Sequence, residues 1–138
     1  MIQKSQPSGS GGEGEDHIDF KKRVQQHPEL FSIMGKKVDS TIEYPLPSGD
    51  SIDVVFQKYD RIVGVEVKSR KSDTKDIRRG LFQTVKYAAV LDASEKTTET
   101  PRRNIKVFLA LEASFPPELI SIRNTLNISV YDNLGDKI

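Results

Sequence analysis

The sequence predicts an α/β fold, a mixed β-sheet flanked by helices in the order α-β-β-β-α-β and then α-β. Three observations lead there. Two apolar runs joined by a short turn, Ile52-Asp53-Val54-Val55-Phe56 and Val63-Gly64-Val65-Glu66-Val67-Lys68, read as consecutive strands. The stretch 74–91 then brings Ile77, Leu81, Val85 and Ala88 round as the apolar stripe of a helix. Beyond it, 105–111 is almost continuously apolar, as in a strand covered on both faces. Strand, helix and strand make a crossover unit, which should be right-handed, within a layered α/β architecture.

The remaining elements follow in chain order. Residues 1–14 are rich in Ser, Gly, Gln and Pro with almost no apolar content, and read as a disordered tail. A helix should begin near Asp16 as N-cap, bury Ile18, Phe20 and Val24, and end at Pro28. Leu30, Phe31 and Ile33 pack as the chain leaves it. A first strand is expected over 38–44, with Pro45, Pro47, Ser48 and Gly49 making the turn. The second strand, 51–57, places Ile52, Val54 and Phe56 on one face and Asp53, Val55 and Gln57 on the other. Tyr59-Asp60-Arg61 turns the chain into the third strand, 62–68, so the three form an antiparallel meander. Ser72 or Asp73 caps the long helix, and 93–104 is a charged, Thr-rich, exposed connection. Pro116-Pro117 opens a last helix over 118–124 with Leu119, Ile122 and Leu126 inward, and 128–131 closes the sheet as an edge strand. The expected domain spans 15–132, with a short tail at 133–138.

Composition narrows the classes. A chain of 138 residues suits one domain with a real core. Its formal net charge of +1 gives no bulk attraction to a polyanion, so any basic surface has to be local. The absence of cysteine excludes disulfides and thiolate metal sites. No apolar leader is present, and the longest apolar run, 105–111, falls far short of a membrane span. A cytoplasmic protein is the expectation.

The chemistry gathers on the two central strands. Side chains alternate along a strand, so Glu66 and Lys68 project from one face while Val63, Val65 and Val67 face away. Charges among apolar residues are costly unless paired or bound to metal. Asp53 and Glu66 would offer two carboxylates from neighbouring strands to a hard cation such as Mg2+ or Mn2+, and the backbone carbonyl of Val67 a third oxygen. Such an ion polarises a phosphodiester and acidifies a bound water, while Lys68 orients that water or offsets charge on the phosphate. The plainer alternative makes Asp53 a turn residue and Glu66 and Lys68 a solvated face of an edge strand.

Gly49-Asp50-Ser51-Ile52-Asp53 followed by Val65-Glu66-Val67-Lys68 resembles the PD-(D/E)xK nuclease superfamily, the restriction-endonuclease-like fold with its three-layer core. The resemblance implies Asp53 and Glu66 as the motif's two acids and Lys68 as its lysine, and it covers about 16–111. Ile52 stands where the motif has proline. Gln83 and Tyr87, four apart on the helix, resemble the Gln-x-x-x-Tyr element of exonuclease-like branches. With Arg79 one turn back, they imply a ladder that holds a phosphate backbone and stacks on a base; an ordinary polar helix face is the alternative. The family often adds an acid from the first helix, where Glu15 is the candidate metal ligand beside His17, and Glu43 is a second candidate for the outer shell. His27 reads as structural. Lys68, Arg70, Lys71, Lys75, Arg78 and Arg79 form a local basic cluster able to neutralise phosphates, with Arg70 and Arg79 as the expected substrate contacts.

The resemblance therefore implies a Mg2+- or Mn2+-dependent nuclease hydrolysing phosphodiesters in DNA, in repair, recombination or defence. No membrane partner is expected, and a homodimer or larger complex is open. The rival is a catalytically inactive module of the same fold that binds nucleic acid or a partner protein. Nothing in the residues separates DNA from RNA.

Overall fold

A computed structural model of the chain describes residues 14–138; the tail expected over 1–14 lies, Gly14 apart, outside the described residues. Helix α1 (Glu15–Gln25) leads through a 3-10 turn (Pro28–Phe31) into strands β1 (Asp39–Pro45), β2 (Ser51–Lys58) and β3 (Arg61–Lys68). Helix α2 (Thr74–Lys96) crosses to β4 (Asn104–Leu111), and α3 (Ile120–Leu126) to β5 (Ser129–Tyr131). The sheet runs β1-β2-β3-β4-β5. Its first three strands are antiparallel, whereas β3–β4 and β4–β5 are parallel. This is the restriction-endonuclease-like α/β order expected from the sequence.

Three layers result. On one face, Phe20 and Val24 of α1 pack with Phe31 onto Val54, Phe56, Val63, Val65 and Val67. Phe31 sits among Phe56, Phe108 and Tyr131 with ring centroids 5.3 to 6.0 Å away. On the other face, Tyr87 and Leu91 of α2 cover Ile52, Val55 and Ile62, and Ile77 and Leu81 join Leu119 over Leu109 and Leu111.

Several local expectations change. Gly14, not Asp16, caps α1, and Ile18 is 39% exposed while Lys21 is buried in its place. At about 100° per residue, Ile18 lies some 200° around from Phe20, whereas His17, Phe20, Lys21 and Val24 share one face. Val85 is likewise exposed on α2, and Thr84 takes its place in the buried stripe. Ile52 packs with Val55 rather than with Val54 and Phe56. Helix α2 runs on to Lys96 because Glu95 is bonded at three points by Arg103, pinning half of the expected loose connection. The last six residues are not a tail: they contain a 3-10 turn (Leu134–Asp136) whose Leu134 is 2% exposed in the α1-side core.

One irregularity positions the site. Pairing between β2 and β3 ends at Val54 opposite Val65, although β2 begins at Ser51 and β3 continues to Lys68. Past that point the free N–H of Val67 donates to the Asp53 carboxylate at 2.8 Å instead of to a strand carbonyl. Across β2, the β1 register passes over Glu43, whose φ of 56° lies in the left-handed region. The phase reversal of Ile52 falls at the same place.

Candidate functional site

The parted strands open into a cleft of about 810 Å³ between the start of α1, the ends of β2 and β3, and α2. Asp53, Glu66 and Lys68 all line it. Glu66 is 5% exposed; the Lys68 ammonium lies 3.7 Å from Glu66 Oε2 and 3.1 Å from Asp76 Oδ1. From α1, His17 Nε2 donates to the Val67 carbonyl at 3.0 Å and lies 3.8 Å from Asp53 Oδ2. Lys21 reaches the same acid, its ammonium 3.7 Å from Asp53 Oδ1, and also pairs with Glu43.

Their surroundings push the two acids in opposite directions. Burial raises the Asp53 carboxyl, but the hydrogen bonds from His17 and the Val67 N–H, with the nearby charge of Lys21, outweigh it and hold the group below its usual range. Burial, then the negative charge of Asp53, push Glu66 well above the ordinary carboxyl value, and Lys68 only partly offsets them. Burial and the charge of Asp53 thus both favour the neutral form of Glu66.

The other expected residues divide. Arg79, Gln83 and Tyr87 do face the cleft, and Glu15 and Glu43 line it as well. Tyr87, however, is 4% exposed and packed against Ile52, Val55, Ile62 and Leu91, so its ring offers no free face for stacking on a base. Arg79 is paired to Asp76 at 3.1 Å. The Gln83 Oε1 atom is buried without a hydrogen-bond partner. Arg70 is not in the cleft: the buried carboxylate of Glu112 holds its backbone N–H at 2.9 Å and its guanidinium at 3.1 Å. Arg78 lies over the Phe82 ring on the outer side of α2, leaving Lys68, Lys71, Lys75 and Arg79 as the lysines and arginines that line the cleft among the described residues. His27 bonds Glu29 at 2.8 Å and takes no part.

Lys21 and Asp76 join the site although neither belongs to the motif. The spacing of Lys21 from His17, Phe20 and Val24 was the available signal, since a lysine on a helix's buried face needs an acid opposite.

Among the described residues no group of three or more His, Asp or Glu is gathered as a metal cage. What exists is a pair. The donor chemistry of Asp53 and Glu66, two hard oxygen ligands lining one cleft, fits Mg2+ or Mn2+ with water filling the other positions. The third oxygen expected, the Val67 carbonyl, is occupied by His17.

No family model matches the chain, and no curated protein matches its sequence. Solved structures do match. An EndoMS–dsDNA complex superposes with a TM-score of 0.59 at 12% identity, covering 93% of this chain and 48% of that one. A repair endonuclease from Pyrococcus abyssi gives 0.55 at 19% identity, covering 91% and 49%. EndoMS in apo form gives 0.51 at 14%, covering 88% and 47%. The likeness is one of fold, and the chain spans about half the length of those solved chains. No helix among the described residues is long and apolar enough to cross a membrane.

Proposed function

We propose that this chain is a metal-dependent nuclease domain of the PD-(D/E)xK type that hydrolyses phosphodiester bonds in DNA. The convergence of Asp53, Glu66 and Lys68 on one cleft at the mouth of two parted strands carries this reading. Asp53 and Glu66 would hold Mg2+ or Mn2+, which supplies Lewis-acid polarisation of the phosphate and an acidified water. Lys68, fixed between Glu66 and Asp76, places a positive charge beside the phosphate. Lys71, Lys75 and Arg79 line the approach for the polymer backbone. The unpaired Gln83 Oε1 is an acceptor awaiting a donor from a ligand. Double-stranded DNA is the polymer we assign, because a structural neighbour is a complex with dsDNA, and repair is the setting, because another is a repair endonuclease.

The test is incubation with plasmid and single-stranded DNA in Mg2+ or Mn2+. The wild type should cleave, and Asp53→Ala should lose about 100-fold or more. Cleavage that persists in Asp53→Ala, or with chelator present, counts against the proposal. A second reading, an inactive module binding nucleic acid or a partner protein, is favoured by one observation: the acids already have partners, Glu43 in Lys21, Asp53 in the Val67 N–H, His17 and Lys21, and Glu66 in Lys68. Calorimetry showing DNA binding without Mn2+ binding would select it.

A further inference from the structure

We propose that Lys21 is a built-in second cation of this site, so that its acids accept one divalent ion and not two. The inference rests on the reading that Asp53 and Glu66 hold a divalent ion, and it concerns what stands beside that ion.

Lys21 belongs to α1, a helix whose other lysine, Lys22, is exposed, yet Lys21 itself is 2% exposed. Its ammonium pairs with Glu43 and lies 3.7 Å from Asp53 Oδ1. The other Asp53 oxygen, Oδ2, turns to β3 and accepts the Val67 N–H. Asp53 is therefore shared between two positive positions. One is at the β3 side, where the Val67 N–H and His17 Nε2, 3.8 Å away, meet Oδ2; the other lies toward β1 and is filled by Lys21. Two-ion phosphodiester sites place their metals about 3.5–4 Å apart around shared carboxylates. An ammonium bridging Asp53 and Glu43 stands where the second of those ions would.

Glu43 supplies a separate observation. A glutamate at a φ of 56° within a strand is unusual and strained, and survives only where its surroundings hold it. Lys21 grips one carboxylate oxygen and the Ser51 hydroxyl donates to the other at 2.7 Å. The backbone is bent, in effect, to deliver this carboxylate to the lysine. A fixed positive charge in a buried setting repels an incoming divalent ion strongly, because little water screens it. Lys21 thus acts as a positioning residue: it orients Asp53 and excludes a second metal.

Isothermal calorimetry with Mn2+ on the full chain tests this. The wild type should bind one Mn2+, Lys21→Met should bind two, and Lys21→Met/Glu43→Gln should return to one. Thermal melts confirm that each variant is folded; if Lys21→Met is not, Lys21→Gln replaces it under the same outcomes. Two Mn2+ on the wild type, or one on the folded Lys21 variant, overturns the proposal while leaving the metal site intact. No Mn2+ on the wild type instead overturns the metal reading itself, and this inference with it.

Discussion

Glu112, at the end of β4, is 7% exposed and ties three segments together. It accepts from the Arg70 backbone at 2.9 Å, from the Arg70 guanidinium at 3.1 Å and from Arg23 at 2.9 Å. Burial raises its carboxyl, but the bonds from Arg70 and then Arg23 prevail, and the group titrates below its ordinary 4.5. A carboxyl whose value falls on folding adds stability that is full above about pH 4.5 and is lost as pH drops through the folded value. Glu112→Gln should therefore cost about 1.5–3 kcal/mol near neutral pH and less under acid, so the two unfolding curves draw together as pH falls through the folded value. Parallel pH profiles would show that Glu112 carries no such linkage. The same contact explains why Arg70 is absent from the cleft. Its neighbours in sequence are basic and polar, and nothing local shows that a residue 42 positions away claims it.

At the scale of the element, helix α2 sets one wall of the cleft. Its buried face follows the true 3.6-residue turn. From Ile77, Thr84 returns to within about 20° while Val85 is displaced by about 80°, which is why an apolar residue lies outside and a threonine inside. Gly80 governs how closely the helix approaches the site. A methyl group there would stand 3.0 Å from Lys68 Cε and 3.1 Å from Leu109 Cδ1. Gly80→Ala gains helix propensity of about 1 kcal/mol and displaces the lysine stem, the more flexible of its two neighbours. The expected result is a melting temperature close to wild type with cleavage reduced severalfold. A variant that cleaves normally would show that the position of Lys68 is not critical. The helix's far end extends past the local pattern for a tertiary reason: Arg103, from the chain beyond, bonds Glu95 and also Gln57 of β2 at 2.7 Å.

Across the whole molecule, the cleft depends on elements that close around it from both ends of the chain. Phe20 and Val24 of α1 and Leu134 of the final turn share one core with β2, β3 and β4. Gly135 sits so close to Glu112 and Arg70 that a methyl group would come within 2.8 Å of both, fastening that turn to the sheet. Leu134→Ala should cost about 3 kcal/mol and lower the melting temperature by roughly 10 °C. A shift of only a degree or two would return residues 133–138 to the status of a tail.

The sequence by itself determined the order of strands and helices, the parallel crossover through α2, and the presence of two acids and a lysine on neighbouring apolar strands. These are written in local periodicity and turn residues, which act over a few positions. Tertiary structure alone decided that Asp53 and Glu66 meet in one cleft, that Ile52 reverses its face where the β2–β3 ladder ends, and that Tyr87 is core. It also assigned each acid its cation: Lys21 to Glu43 across 22 positions, Arg23 to Glu112 across 89. Such pairings depend on the distance between segments remote in the chain, and no local pattern encodes it.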